Sequence, residues 1–422
     1  MSIQLKRRLL GFCFILVLSL SVLNLPHPCS NQAVAANSAV KKKFVIGGLF
    51  AMTGSWSTLG LASAAALQLA ADDLNAHFSR IGSKIEVAVA IEDTQLDPQV
   101  ALKKLQSLSA RGIRVVVGPQ SSISVAAVKA FADANDILLI SQSSTAGSLS
   151  IPNDNVFRFC PDDDLEGKAI AALMYADGIR VIVPLWRDDA GNAGLHDATK
   201  RHFEAMGGTM VTGVRYAADV SDFSSPVSDL DTQVRAEGAE HGSDSVAIYA
   251  AAFDEIVPIF KLADDSSVLS ATPWYGSDGV ALSNVLLNDT DASTFASRIN
   301  YPNPTFGFDT GAALKWAPIA ERIKEMVGFN PDAFALGVYD AAWVAAQTLA
   351  LDKNRTDFDF FKQEFPVVAG SFFGATGWTV LNDAGDRRFG NFDFWAIRDV
   401  NGTKQWQLVA FYDSGLDVLV RR

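Results

Sequence analysis

The sequence has few of the residues that most often build metal centres, with three cysteines and five histidines among 422 residues. The histidines at positions 77, 196, 202 and 241 form no H-E-x-x-H pattern or facial set, and we interpret them as solvated or capping side chains. The acidic run at 162–164 lacks the alternating spacing and sharp glycine turn of a calcium loop, and is more typical of a helix N-terminus. We therefore predict no metal and no cofactor.

Motifs for nucleotide binding and for catalysis are also missing. The sequence has no G-x-x-x-x-G-K-[ST] loop, and Gly47-Gly48 falls inside the first predicted strand instead of in a G-x-G-x-x-G turn after it. It has no G-x-S-x-G turn either, since Ser121-Ser122 is followed by Ile123-Ser124. Because no nucleophile and base are paired in a known pattern, we predict that the protein is not an enzyme.

Positive charge is in short supply: 35 lysines and arginines face 47 aspartates and glutamates, which gives a formal net charge of −12. A chain with this balance repels nucleic acid and anionic lipid. Nucleic acid is therefore not an expected partner.

The N-terminus has the pattern of an export signal. Three basic residues, Lys6–Arg8, precede an apolar run at 9–25, and a small-residue site follows at Ala33–Ala35. We predict that residues 1–35 are a cleaved signal peptide, that residues 36–42 are a linker, and that the protein works in the periplasm or at the extracellular face. An uncleaved anchor is the alternative, because the apolar run approaches the length of a membrane span.

The cysteines fit the same interpretation. Cys13 and Cys29 leave with the predicted signal, so Cys160 has no partner within the chain and a disulfide framework is excluded. We expect Cys160 to be a small buried side chain and not a reactive thiol.

From Lys43 onward, short apolar runs alternate with longer amphipathic ones, which is typical of parallel sheets covered by helices. The alternation restarts with a helix at 165–176, and the part of the 422-residue chain that follows the predicted signal peptide still exceeds what one core usually supports, so we predict two lobes. We place the chain crossings near 159–161, 299–302 and 389–393. The predicted lobes are an N-terminal lobe of residues 43–160 plus 302–390 and a C-terminal lobe of residues 161–301 plus 391–422.

Hydroxyl groups cluster where two predicted parallel strands end, which is where ligands bind in open parallel sheets. The strand ending at Val117 leads through Gly118–Ser124 into a helix, and the strand ending at Ile140 leads into Ser141–Thr145. A helix N-terminus and neighbouring hydroxyls suit a carboxylate, so we interpret these two loops as an anion site. For any one of these hydroxyls, the alternative is a helix cap.

An acidic residue follows a strand of the second predicted lobe. The strand ends at Tyr275, and Gly276-Ser277-Asp278-Gly279 comes next. An aspartate between glycines can point into the cleft and accept a charge-assisted hydrogen bond from an ammonium group. The alternative is a turn or capping aspartate.

These loops, in this order, resemble the branched-chain amino-acid binding proteins of ABC importers. The resemblance covers essentially the whole chain after the signal, and it implies an α/β fold of two Rossmann-like lobes, the type I periplasmic-binding-protein fold. In that fold, three hinge crossovers join the lobes and the ligand lies in the interlobe cleft. The motifs that carry the resemblance are Thr53–Trp56, Gly118-Pro119 with Ser121-Ser122, Ser143–Thr145, Gly276–Gly279, Tyr339–Ala341 and Gly385–Arg387.

The resemblance also implies a set of ligand-binding residues. Hydroxyl and backbone groups of the two loops would hold an α-carboxylate, Asp278 would take the α-ammonium, and two aromatic rings would line the pocket for the ligand side chain. The predicted ligand-binding residues are Trp56, Ser121, Ser122, Ser143, Ser144, Thr145, Phe253 and Asp278.

One segment departs from the family pattern. After the strand at 181–184 the family often has Asp-x-Tyr-Gly or Asp-x-Trp-Gly, whereas this chain has Asp188-Asp189-Ala190-Gly191-Asn192. Gly191 thus stands where an aromatic ring is expected, and this leaves the ligand side chain open. Either Trp186 or Asn192 compensates, or the pocket accepts a larger or more polar group.

Together, these features predict a solute-binding protein that captures a small molecule by hinge closure. The expected ligand is an amino acid, branched-chain, otherwise hydrophobic or related, and the expected partners are the membrane permease subunits of an ABC importer. We expect a monomer. The alternatives are a ligand-sensing receptor, which should carry a membrane span and an intracellular module after the lobes, and a binder of amides, urea or aromatic acids on the same fold.

Overall fold

The computed structural model describes residues 42–351 and 357–422, so the predicted signal peptide and all but the last residue of the predicted linker lie outside the described part. The first described elements alternate between strand and helix and form a five-stranded parallel sheet in the order β2-β1-β3-β4-β5. We call the part built on this sheet the first lobe. Its elements begin with β1 (Lys42–Phe50), α1 (Ser57–Arg80), β2 (Ile85–Asp93), α2 (Pro98–Ala110), β3 (Val115–Val117), α3 (Ser122–Ala134), β4 (Leu138–Ser141) and β5 (Val156–Arg158).

The alternation then restarts and forms a second parallel sheet, in the order β10-β9-β6-β7 with β8 also paired to β6. We call the part built on this sheet the second lobe. Its elements are α4 (Asp163–Ala176), β6 (Val181–Asp188), α5 (Ala190–Ala205), β7 (Thr209–Met210), β8 (Val214–Ala217), α6 (Ser224–His241), β9 (Val246–Ala251), α7 (Ile256–Asp264), β10 (Trp274–Tyr275), α8 (Asn284–Asn288) and α9 (Thr290–Arg298).

The rest of the chain adds helices to the first lobe and an antiparallel sheet in the order β11-β14-β15-β16. A two-stranded hairpin pairs β12 with β13. These elements are β11 (Asn303–Phe306), α10 (Ala313–Val327), α11 (Ala333–Leu351), α12 (Phe358–Gly370), β12 (Phe373–Gly374), β13 (Gly377–Trp378), β14 (Phe392–Val400), β15 (Thr403–Asp413) and β16 (Val418–Arg421).

Each parallel sheet is covered by helices on both faces, because alternate strand residues point to opposite sides. In β3, Val115 and Val117 pack with α1, α11 and α12, whereas Val116 packs with α2 and α3. In β6, Val183 packs with α6, α7 and α9, and Ile182 packs with α4 and α5. This architecture of two helix-covered parallel sheets confirms the predicted fold class, while the lobe boundaries stay a prediction.

Helix α11 is the one helix in the described ranges that is long and apolar enough to cross a membrane. Its most apolar stretch is 78% buried inside the protein, which is typical of a core helix. Contacts with α1 and α12 account for that burial.

The apolar pattern at 209–216 predicts one continuous strand, and this prediction is wrong. The segment forms two short strands that pair with different parts of β6. Gly213 separates them with a φ of 67°, and a Cβ atom there would lie 2.2 Å from the Pro184 carbonyl oxygen. Only glycine allows so close a backbone approach without strain, and Gly213 therefore permits the break between the two strands.

Candidate ligand-binding site

A small cavity lies between the lobes, at the carboxyl ends of the parallel strands. It brings together seven of the eight residues predicted to bind ligand; the exception, Ser144, lies directly behind the wall. Their role as ligand-binding residues stays a prediction. The cavity is lined by Trp56, Ser121, Ser122, Ser143, Thr145, Asp189, Gly191, Asn192, Leu195, Phe253 and Asp278.

Ser122 is held so that its own proton is free for a ligand. Its Oγ accepts hydrogen bonds from the Ser144 hydroxyl at 3.1 Å and from the Ala146 backbone N–H at 3.2 Å. With two donors on its lone pairs, the Ser122 hydroxyl can donate into the cavity. Ser144 thus positions Ser122 instead of lining the site.

The other hydroxyls have different tasks. Ser121 caps α3: its Oγ accepts from the Ser124 N–H at 3.4 Å and donates to the Ser124 Oγ at 2.9 Å. Ser143 Oγ donates to the Gln120 carbonyl oxygen at 2.9 Å, which leaves its lone pairs free to accept. The alternative of a helix cap therefore describes Ser121, although this side chain also lines the cavity.

Two aromatic rings from opposite lobes form an apolar wall. The Trp56 and Phe253 rings stack at a centroid distance of 4.8 Å, and each residue is 6% exposed. Trp56 has a left-handed backbone with a φ of 61°, and Gln120 holds it by donating from Nε2 to its carbonyl oxygen at 3.1 Å. On the second lobe, the Arg187 guanidinium lies 5.4 Å from the centroid of the Phe253 ring.

A buried aspartate links the lobes beside this wall. Asp254 Oδ2 accepts from the Trp56 backbone N–H at 2.7 Å, and Asp254 Oδ1 accepts from the Ser283 hydroxyl at 2.6 Å. Burial raises the pKa of the Asp254 carboxyl, and the bonds from Ser283 and Trp56 oppose that rise. A second interlobe bond runs from the Asn284 N–H to Thr58 Oγ1 at 3.0 Å. The lobes therefore meet through directional contacts at the rim of the cavity.

Asp278 stands opposite the hydroxyl loops, on the second lobe. Gly279 makes this turn possible, because a Cβ atom there would lie 2.5 Å from both the Ala252 carbonyl oxygen and Phe253 Cδ1. The Asp278 backbone N–H donates to Glu166 Oε1 at 3.1 Å. Burial raises the pKa of the Asp278 carboxyl to about 7, and the nearby Asp332 and Asp189 carboxylates add to the rise.

The segment that departs from the family pattern forms the N-terminus of α5. Asp189 caps this helix by accepting from the N–H groups of Gly191 and Asn192, both at 3.0 Å. A Cβ atom on Gly191 would lie 3.5 Å from Ser122 Oγ, so the helix comes close to the first lobe. The Trp186 ring stacks on the His196 ring at a centroid distance of 4.1 Å, and Trp186 does not line the cavity. Of the two residues that could compensate for the missing aromatic ring, Asn192 is therefore the one that lines the cavity beside Gly191.

Two acidic residues that the sequence did not predict near the site, Asp163 and Glu166, are buried beside it. The interpretation of the run at 162–164 as a helix N-terminus holds for Asp162, whose carboxylate accepts from the Leu165 N–H. Its neighbour Asp163 is 2% exposed, and Glu166 one turn later is fully buried. Burial is the main cause of the raised pKa values of both carboxyl groups. The spacing of three along α4 is the signal that these two side chains share a face.

Cys160 is a buried side chain, as expected, with 1% exposure. Its thiol donates to the Ser144 carbonyl oxygen at 3.4 Å, and burial raises the pKa of the thiol. A thiol with a raised pKa is a poor nucleophile.

Comparison with known proteins agrees with this architecture. The sequence profile of a family described as periplasmic binding protein matches residues 43–359. An uncharacterized protein of Methanocaldococcus jannaschii is 30% identical over 403 residues, which cover 91% of this chain and 93% of the relative.

Two solved structures share the fold at low sequence identity. One is the branched-chain amino acid transporter substrate binding protein LivJ from Streptococcus pneumoniae in complex with isoleucine, with a TM-score of 0.67 and 21% identity over 87% of this chain and 99% of that chain. The other is an ABC transporter solute binding protein from R. palustris in complex with benzoate, with a TM-score of 0.68 and 16% identity over 87% of this chain and 96% of that chain. These similarities confirm the predicted type I fold.

Proposed function

The chain belongs to the periplasmic binding protein family, and on that premise we propose that it captures an amino acid between its lobes and delivers it to the permease subunits of an ABC importer. We propose further that it is exported and acts as a monomer. The observation that carries the proposal is the polarity of the cavity: hydroxyl groups and a helix N-terminus line one side, and the Asp278 carboxyl lines the other. A zwitterion is the ligand whose two charged ends match such a cavity.

The first lobe suits the carboxylate end. Helix α3 begins at Ser122, and its unpaired N–H groups and dipole favour a negative charge by about 0.3–1 kcal/mol. The free proton of the Ser122 hydroxyl adds one charge-assisted donor, since both lone pairs of that oxygen are already engaged. Thr145 lines the same side of the cavity.

The second lobe suits the ammonium end. A hydrogen bond between an ammonium group and the ionised Asp278 carboxylate would contribute about 1.5–3 kcal/mol. From the first lobe, Ser143 Oγ, whose proton is committed to the Gln120 carbonyl oxygen, offers a second acceptor to the ammonium group. The resemblance to branched-chain amino-acid binding proteins favours an apolar ligand side chain against the Trp56 and Phe253 wall, and the polar N-terminus of α5 favours a compact one.

The lobe contacts support capture by closure. Burying a charged ligand costs free energy unless both charged ends are paired, and here the two ends find their partners on different lobes. The ligand would therefore stabilise the state in which the lobes meet through Trp56 and Asp254.

An aromatic acid or amide is the second candidate. The stacked pair of Trp56 and Phe253 offers an aromatic wall, and an Asp278 carboxyl with a pKa of about 7 carries a proton in part of the molecules at neutral pH. A protonated Asp278 does not require an ammonium group. The benzoate held by the R. palustris protein is a ligand of this kind.

A thermal-shift screen of the purified protein separates the candidates. The compounds are the amino acids, acetamide, urea and benzoate, and a ligand at 100 times its dissociation constant should add about 2.7 kcal/mol to the free energy of unfolding. We expect at least one amino acid to raise the melting temperature of the wild type and to lose most of that effect in Asp278→Asn. Asp164→Asn is the control, because Asp164 is exposed and paired with His202. If only compounds without an ammonium group shift the melting temperature, the amino-acid proposal fails.

A further inference from the structure

Asp163, Glu166 and Asp278 form a group of neighbouring acidic residues at the second-lobe end of the site. Asp163 and Glu166 stand one turn apart on α4, and Asp278 lies in the turn after β10. The Asp278 backbone contacts the Glu166 carboxyl, since its N–H donates to Glu166 Oε1 at 3.1 Å, and the charges of Asp278 and Asp163 both act on Glu166. Within residues 42–351 and 357–422, the second carboxyl oxygen of Glu166 has no hydrogen-bond partner although the side chain is fully buried.

The surroundings of Glu166 are acidic. Its pKa is raised by burial and then by the charges of Asp278 and Asp163. The phenol of Tyr249 on β9 also faces this group, and its pKa is raised first by burial and then by the Glu166, Asp278 and Asp163 charges. From the first lobe, Asp332 acts on Asp278 in the same direction.

The arginines around this group have carboxylate partners of their own. Arg158 lowers the pKa of Asp163, but its Nε donates to Asp386 Oδ1 at 2.5 Å and its Nη1 donates to the carbonyl oxygen of Ala146 at 2.7 Å. On the other side, Arg187 is paired with Asp189. Buried carboxyl groups that act on one another in this way cannot all be ionised, and such groups share a proton.

We propose that Glu166 is a specificity-determining residue of the ammonium subsite: with Asp278 it retains a proton in the empty protein, and the ligand ammonium displaces that proton. The inference rests on the proposed function, capture of an amino acid. The step is a simple exchange. The carboxyl O–H bond breaks, its proton passes to the solvent buffer, and the ammonium N–H groups donate to the carboxylate left behind.

Two consequences distinguish this device from a single carboxylate. Binding of an amino acid at pH 7 releases about one proton, and the affinity falls by up to about tenfold for each pH unit below the pKa of the empty cluster. Ligands without a cationic group gain nothing from the second carboxyl, so Glu166 selects for a protonated amine. A benzoate-type ligand would bind without releasing this proton.

Calorimetry with L-isoleucine in buffers of different ionisation enthalpy measures the proton release. We expect about one proton from the wild type at pH 7 and clearly less from Glu166→Gln, whose amide oxygen still accepts from the Asp278 N–H. Asp164→Asn, on the same helix but exposed, should release as much as the wild type. Binding enthalpies that do not depend on the buffer in the wild type would overturn the proposal.

A measurement without ligand tests separately whether Glu166 and Asp278 share a proton. Carboxyls with a raised pKa in the folded state stabilise the protein at low pH, and this stability is lost as the pH rises through that pKa. The melting temperature of the empty wild type should therefore fall between pH 5 and pH 8, and the fall should be smaller in Glu166→Gln and in Asp278→Asn. Profiles of melting temperature against pH with the same slope in all three proteins would contradict the shared proton. If none of the amino acids shifts the melting temperature or gives heat while the profiles differ as expected, the amino-acid proposal fails and the shared proton stands.

Discussion

Replacing Asp254 by alanine removes the hydrogen bond that the Trp56 N–H donates across the cleft at 2.7 Å. Because the donor and the acceptor belong to different lobes, this bond exists only when the lobes meet. A hydrogen bond to a charged acceptor contributes about 1.5–3 kcal/mol. The equilibrium between closed and open lobes should therefore shift toward the open state by about 10- to 150-fold.

The apparent affinity for a ligand scales with the population of the state that binds it. If the closed state is the minor state of the empty protein, Asp254→Ala should raise the dissociation constant by the same factor, about 10- to 150-fold. Calorimetry with the amino acid that gives the largest thermal shift measures this change. Small-angle X-ray scattering of the same samples should show a smaller compaction on ligand addition than in the wild type.

Asp264→Asn is the matched control, because Asp264 ends the helix α7 that follows Asp254 and pairs with Arg298 at the surface. It should leave the dissociation constant within about twofold of the wild type, as surface changes usually do. A folded Asp254→Ala protein with wild-type affinity and compaction would refute the account of closure.

Two further predictions concern the walls of the site. Ser122→Ala should weaken amino-acid binding by about tenfold in calorimetry, because it removes one donor to the ligand carboxylate. Ser144→Ala should lower the affinity less, because Ser144 only orients Ser122. Equal losses of affinity would place both hydroxyls on the ligand. Gly279→Ala should lower the free energy of unfolding by about 1–3 kcal/mol in chemical denaturation, because its Cβ would meet the Ala252 carbonyl oxygen and the Phe253 ring at 2.5 Å, and an unchanged midpoint would contradict the close packing of this turn.

Local signals predicted much of the fold. The pair Asp97-Pro98 predicts a helix start, because an aspartate can cap and a proline fits the first helical turn; Asp97 caps α2 by accepting from the Gln99 and Val100 N–H groups. The segment at 313–327 predicts a long helix, and α10 has the same limits. By contrast, the three-residue strand β5 and the helices α8, α9 and α12 were not predicted, because short or irregular segments carry little periodicity.

The candidate site was predictable where it depends on strand ends and less so where it depends on packing. Parallel strands bring their carboxyl ends to one edge, so the sequence predicts that Ser122, Thr145 and Asp278 lie near one another, and all three line the cavity. The sequence pattern predicts a helix that begins at Leu195, but α5 begins five residues earlier, at Ala190, and the place of Leu195 in the cavity wall was not predicted. The burial of Glu166 results from tertiary packing, which a cluster of acidic residues in the sequence does not reveal.

A crystal structure with the amino acid that gives the largest thermal shift tests the central claim most directly. The account predicts the ligand between the lobes, its carboxylate within hydrogen-bond distance of Ser122 Oγ and the first N–H groups of α3, and its ammonium group against Asp278. A ligand bound outside this cavity, or one whose ammonium group makes no contact with Asp278, would contradict the account.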